Sequence, residues 1–507
     1  MTVIKRNAMA NFAGRIWSNV LSIAFVPVYL HFLGVEAYGL VGFAATLQAI
    51  LILLDVGFGA AMLRELARLS AIPGSAREQR DTVRTLELIY AAIAFAGGSA
   101  VSLLAPLIAT RWVHPQHLSN QAVTTSIRII GLMMAMQYLY VLYEVALMAL
   151  QRQVFANMIL AVSGTVRAGG TVLVLWLFSR TIQAFMLTQA LTWVAAMVVM
   201  RTVLWRSMPR AEERATFRRS IVSVLWKYAA GTFGIALSTA IFYQIDKVLL
   251  SRMLTLTVFG YYMLAQSVAG VLWSVVSPIS NAVFPRLSQL AVLNEDAELR
   301  TLYHGAAQSM TALLVPLGIV LAFFSYDAIL IWTHDPVVAS NAAPIAAFAS
   351  IGIVAIGLAD VSHYLRLAYG WVSLSLKTKL ILLAAMLPVL LLAIFHYGAI
   401  GAACGWAAVN VAYLVVTVPI THRRLLRGAF ADWAITDTII PTAAAVAVAA
   451  LARMVIPRDG PMLLHLAQVA AAGLLVLAAT ALSAPIVRRF LFARVSRMNQ
   501  TLRVTAR

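Results

Sequence analysis

One arginine stands in the middle of a long apolar stretch. Arg167 lies near the centre of residues 154–178, which contain no other charged residue. A stretch of that length can cross a bilayer, and the guanidinium then falls near the midplane. A cation there costs roughly 2.5–3.5 kcal/mol unless it faces a partner or a wet cavity. Arg167 therefore either pairs with a carboxylate on a neighbouring helix or serves a function inside the membrane. Arg15 sits about two turns into the first apolar run, where snorkelling to the surface is an alternative. Arg128 and Lys227 lie closer to helix ends and read equally well as anchors. Asp246 and Lys247 are neighbours near the end of one run. Adjacent residues on a helix do not face each other, so they are expected to point apart rather than form an ion pair.

Three more carboxylates, Asp55, Glu144 and Asp360, fall inside apolar runs. A carboxylate taken out of water loses preference for its charged form, which is the property a proton relay needs. Asp360 and His363 are three residues apart, share a helix face and form the best titrating pair for ion coupling. The plainer reading of that pair is a polar cluster at a helix mouth, and Asp55 could equally cap the glycine-rich backbone that follows it. There is no GxxxxGK[ST], HExxH or CxxC pattern, so no ATPase or metalloenzyme, no catalytic set, no cofactor and no metal site is expected. Cys404, the only cysteine, excludes an intrachain disulfide and reads as a small packing residue.

The elements that must position these residues follow from composition. Of 507 residues, 62% are hydrophobic and 11% charged. Apolar runs long enough to span a membrane recur along the whole chain, and in lipid such runs must be helices. They predict an all-α integral membrane protein with about 14 transmembrane helices. A net charge of +19 would point to nucleic acid in a soluble chain. Its distribution points elsewhere, and no nucleic-acid partner is expected. When the connections are taken alternately, one side collects 28 Lys and Arg and the other only four: Arg111, Arg180, Arg252 and Arg458. That bias predicts an orientation with both termini cytoplasmic. The first apolar run leads straight into the second, so no cleavable signal peptide is expected.

Connections on the sparse side are short, the longest being 111–123 and 327–341, which leaves the function to the helix bundle. The expected organisation is an N-terminal lobe of six helices (1–205), a cytoplasmic linker (206–223) and a second six-helix lobe (224–420). Two extra helices (438–483) and a basic tail (484–507) follow. The lobes are expected to surround a central cavity. A weak internal repeat at an offset of 221 supports them: Gly39 meets Gly260 and Tyr38 meets Phe259, with both halves running in the same direction. Pro27 in the first helix is a candidate hinge, whereas Pro278, Pro316, Pro388 and Pro419 read as static kinks. Trp112, Trp176, Trp205 and Trp332 read as interface anchors.

The opening NFAGRIWSNVLSIAFVPVYLHFLGVEAYGL, then LLDVGFGAAMLRELARL, resembles the Wzx-type polysaccharide flippases of the multidrug/oligosaccharidyl-lipid/polysaccharide exporter superfamily. So do QIDKVLLSRMLTLTVFGYYMLAQSV, SPISNAVFPRLSQL and YGAIGAACGWAAV, in the same order. The resemblance implies transport of a polyprenyl-pyrophosphate-linked oligosaccharide from the cytoplasmic to the periplasmic leaflet by alternating access, coupled to a proton or sodium ion. Membrane lipid and a polysaccharide polymerase complex are the other partners it implies. Such cargo needs a cationic, wet cavity, and an arginine fork suits phosphate oxygens. On that reading Arg167, Arg15, Lys247 and Arg128 are the substrate-binding candidates, and Asp360, His363, Asp246, Asp55 and Glu144 the ion-coupling ones. A lipid II flippase presents the same pyrophosphate and remains an alternative. A multidrug exporter for organic cations would favour an acidic cavity, against the basic intramembrane excess here. A membrane glycan polymerase or ligase would need a larger external loop.

Overall fold

The computed structural model describes residues 3–53, 57–457 and 461–493. Within those helices the side chains of 3–12, 15, 52–53, 227–233, 235–236, 239, 372 and 375–376 lie outside the description. Asp55, Arg458 and the tail from 494 are likewise outside the described residues. Among the described residues all regular structure is helical: α1 (Val3–Ala24), α2 (Val26–Leu53), α3 (Phe58–Ser70), α4 (Ala76–Leu107), α5 (Asn120–Ala149), α6 (Gln153–Leu177), α7 (Ile182–Ser207) and α8 (Arg219–Met253). The chain continues through α9 (Leu256–Ala269), α10 (Trp273–Leu293), α11 (Asp296–Thr333), α12 (Pro336–Ala368), α13 (Val372–Leu425), α14 (Ile440–Val455) and α15 (Met462–Ser483). Short π-helical turns extend α4 through Trp112 and precede α14 from Asp432.

Eleven helical stretches among the described residues are long and apolar enough to cross a membrane. Two positive-φ glycines divide helical paths that look continuous. Gly34 (φ 78°) interrupts α2 and Gly398 (φ 58°) interrupts α13, a conformation that costs a residue without Cβ little. The first turns of α2 then extend α1, α13 counts as two crossings, and α8 adds another. About fourteen crossings result, as the apolar runs predict. The break between α1 and α2 falls at Phe25, two residues before Pro27, where the proline ring removes a backbone donor.

The chain divides into two compact units, residues 1–260 and 261–507. In the first, α4 packs along α5, α5 along α7, α1 along α6, and α8 lies against α2 and α3. The repeat-related glycines touch: a Cβ on Gly39 would strike the carbonyl oxygen of Leu256 and come within 3.1 Å of the Gly260 nitrogen. In the second unit α11 and α12 form the centre, flanked by α10, α13, α14 and α15. Its core includes Val315, Leu358, Ala445, Ala449 and Val476.

One expectation is corrected here. Residues 327–341 do not form a long loop, because α11 runs to Thr333 and α12 begins at Pro336. The Asp335 carboxylate caps α12 by accepting from the amides of Val337 and Val338 at 2.8 and 3.1 Å. Asp327 is satisfied inside the helix bundle by Arg453 and His465 from elsewhere in the chain.

Candidate functional site

The first unit encloses a cavity of about 390 Å³ bordered by α1, α2, α5, α6 and α7. Its floor is local helix geometry. Gly164, Arg167 and Ala168 are spaced three and four apart on α6 and therefore share a face. Arg167 is the fifteenth residue of the 25-residue α6, which keeps it near mid-depth. Among the described residues it is the only formally charged one lining the cavity. Its guanidinium stacks on the Trp193 ring of α7, 4.5 Å from the centroid. Trp193 is in turn held edge-on by Tyr140 at 5.3 Å.

Among the described residues no carboxylate lies within ion-pair distance of Arg167. The carboxylate partner offered as its structural explanation is thus not found. The remaining polar lining consists of neutral donors and acceptors: Ser18, Ser22, Tyr29, Tyr38, Gln48, Gln137 and Gln189. Tyr29 is fixed by Phe185, edge-on at 5.1 Å, and its hydroxyl reaches the Ala168 carbonyl at 3.4 Å. Gln189 donates to Thr171 at 3.3 Å. The Ser18 hydroxyl and the Gln137 amide oxygen are buried without a hydrogen-bond partner among the described residues. An arginine beside aromatic rings, amides and hydroxyls can bind an anion joined to a hydroxyl-rich group.

The other expected residues are dispersed. The Arg15 side chain, Asp55 and Lys227 lie outside the described residues. Arg128 is exposed on α5, and Glu144 is half-buried further along the same helix; neither lines the cavity. Asp246 and Lys247 contradict the expected divergence: the lysine Nζ returns to Asp246 Oδ1 at 3.2 Å and to the Tyr243 carbonyl at 2.8 Å. The four-carbon stem of lysine bridges what the helical angle separates. Asp246 is fully buried and Lys247 partly so, which favours an ion pair over two independent charges.

Asp360 belongs to the second unit, where it accepts a short hydrogen bond from the Ser280 hydroxyl of α10. Lys379 and Arg366 lie close enough to act on it electrostatically, and both also act on His363. Arg366, one of the 28 Lys and Arg assigned to the cation-rich side, is completely buried. It donates to Thr421 Oγ1 at 2.7 Å and to the Tyr413 hydroxyl at 2.9 Å. Its place at the end of an apolar run could equally have marked a surface anchor.

Three further carboxylates organise the bundle, and helix periodicity gave no sign of them. Asp327 on α11 accepts from Arg453 at 3.0 Å and pairs with His465 Nε2 at 2.8 Å, tying α14 and α15 to α11. Asp437 meets His304 Nδ1 at 2.5 Å and Gln308 Nε2 at 2.7 Å. Glu36 on α2 accepts backbone N–H groups from Gln116, His117 and Leu118, with shortest distances of 2.5, 2.9 and 3.3 Å, and so pins the loop 113–119.

Repeated membrane-crossing helices and a polar cavity sunk among them define a multi-pass membrane protein of transporter architecture. The family model described as polysaccharide biosynthesis protein matches residues 4–291, and the chain belongs to that family. Its fold is that of the lipid II flippase MurJ in an inward closed conformation, with a TM-score of 0.70 at 15% identity over 96% of this chain and 99% of that one. The multidrug transporter DinF-BH, solved in complex with R6G, aligns with a TM-score of 0.60 at 15% identity over 83% and 95% of the two chains. An inward-facing multidrug resistance transporter of the MOP superfamily aligns at 0.61 and 13% identity, over 82% and 94%. At these identities the likenesses establish the fold. Among curated proteins none matches the sequence.

Proposed function

We infer that the protein is a flippase that carries a polyprenyl-pyrophosphate-linked oligosaccharide from the cytoplasmic to the periplasmic leaflet of a bacterial inner membrane, with both termini cytoplasmic. The observation that carries this reading is the cavity whose one formal charge among the described residues is Arg167, set among neutral hydrogen-bonding and aromatic side chains. The arginine fork suits a pyrophosphate, the amides and hydroxyls suit sugar hydroxyls, and a ring can stack on a sugar face. A cavity for organic cations would call for carboxylates, and none of the described residues lining this one is a carboxylate. Arg15 is proposed as the second cation on the substrate path, with Lys247 and Arg128 as weaker contacts along it. Asp360 with His363 is proposed as the proton-coupling site, with Asp246, Asp55 and Glu144 as further carboxylates on an ion path. Transport proceeds by alternating access, and no covalent chemistry is required of the protein.

The test is reconstitution. Liposomes containing the purified protein should translocate a fluorescent polyprenyl-pyrophosphate oligosaccharide and should not move rhodamine-type cations. Cation transport without lipid translocation would assign the chain to the exporters instead. The near full-length likeness to MurJ favours one second reading, transport of lipid II. Rescue of cells depleted of their own lipid II flippase would establish it.

A further inference from the structure

A second cavity of the first unit, about 550 Å³, lies among α2, α4 and α8. Its walls are apolar: Phe43, Leu47 and Ile50 from α2, Leu104 and Leu107 from α4, and Val248 from α8. Arg111, Trp112 and Arg252 also line it, at the ends of α4 and α8. The sequence places only four Lys or Arg in the connections on this side of the membrane, Arg111, Arg180, Arg252 and Arg458. Two of those four border this one cavity.

Neither arginine has a carboxylate partner among the described residues, and no Asp or Glu lines the cavity. Arg252 meets only the His114 Nε2, at 3.4 Å. The Trp112 indole donates to Ser251 Oγ at 3.1 Å, which joins the end of α4 to the end of α8 and keeps the two arginines at one rim. From Arg111 down to Leu104 the helix descends about 10 Å, well within one leaflet of a hydrocarbon core roughly 30 Å thick. A headgroup at the rim therefore leaves about 10 Å of alkyl chain to fill the groove. The lining supplies only Thr46 and Ser251 as hydroxyls and no side-chain amide, so the group recognised is a phosphate rather than a sugar.

We propose that this cavity seats an anionic glycerophospholipid of the surrounding bilayer, its phosphate between Arg111 and Arg252 and one acyl chain lying between α2, α4 and α8. The seat is separate from the Arg167 cavity and does not depend on what that cavity transports. Lipid bound there bridges α2, α4 and α8, so it stabilises the first unit.

Native mass spectrometry of the full chain from micelles with equal phosphatidylglycerol and phosphatidylcholine tests the seat. The wild type should retain phosphatidylglycerol preferentially. The double variant Arg111→Gln/Arg252→Gln should lower that preference about tenfold, because both headgroups carry a phosphate and only the paired guanidiniums disfavour the choline cation of the zwitterionic lipid. Leu107→Trp, which fills the groove and leaves both arginines in place, should lower the total bound lipid. An unchanged preference in the double variant, or equal retention of both lipids by the wild type, overturns the proposal. So does displacement of phosphatidylglycerol by equimolar polyprenyl pyrophosphate, which would make the groove a seat for the carried lipid.

Discussion

Replacing Arg167 by methionine separates a functional role for the guanidinium from a structural one, because the two predict opposite changes in stability. Removing a midplane cation relieves at most roughly 2.5–3.5 kcal/mol of insertion cost, the full figure applying only where the cavity is dry. The interaction lost in exchange is the stack on Trp193, worth about 0.5–2 kcal/mol. No hydrogen bond or ion pair from Arg167 to a described residue adds to that loss. The folded protein should therefore be as stable as wild type or more stable, by up to about 3 kcal/mol on these figures. Binding should move the other way. A charge-assisted hydrogen bond to phosphate contributes about 1.5–3 kcal/mol, which is roughly tenfold to a hundredfold in affinity. Arg167→Lys keeps the charge but loses the two-pronged geometry, so its loss should be intermediate. The assay pairs thermal unfolding in nanodiscs with initial rates of lipid-linked oligosaccharide translocation in liposomes at subsaturating substrate. A methionine variant that unfolds several degrees earlier yet transports at the wild-type rate would refute the reasoning and make Arg167 a packing residue.

Asp327→Ala should cost up to about 3–5 kcal/mol, because it leaves the largely buried Arg453 without its carboxylate. Thermal unfolding measures that cost, and Asp327→Leu/Arg453→Met should recover most of it. Glu36→Gln weakens the anchor of the loop 113–119, and hydrogen exchange at the amides of Gln116, His117 and Leu118 should rise about tenfold. Asp360→Asn should make translocation indifferent to an imposed pH gradient that drives the wild type. A wild type that already ignores the gradient removes Asp360 and His363 from coupling.

The helices were legible because a bilayer imposes a length on every apolar run and a charge bias on every connection. Those constraints are local in sequence, so they survive without knowledge of packing. Arg167 was legible for the same reason: its cost depends on depth alone, and depth follows from position in the run. Partners were not legible. Asp327 finds Arg453 and His465 more than 120 residues away, and nothing in helical periodicity selects one distant helix over another. Asp327 consequently looked like a loop residue, and Arg366 looked like one more cation on the basic side. Asp246 and Lys247 failed in a different way. Helical geometry separates their Cβ atoms, but a long side chain can fold back over one turn.

The partners now visible give the cost argument its force. Glu87 of α4 is held by Arg84, Arg201 and the Tyr143 hydroxyl, and Asp246 by Lys247. Asp327 holds Arg453 and His465, Asp437 holds His304 and Gln308, and Arg366 donates to a hydroxyl on each side. In each case burial is offset by a hydrogen-bonded partner, so stability alone accounts for the residue's presence. Asp327 and Asp437 do more, since they fix the C-terminal helical segments to α11 near its two ends. Arg167 differs from all of these. Its guanidinium, with five N–H donors, borders a cavity, and among the described residues its contact is a ring face. On the proposed function, a group so costly to bury and so little used by the fold serves what enters the cavity, and an anion is the ligand its chemistry suits.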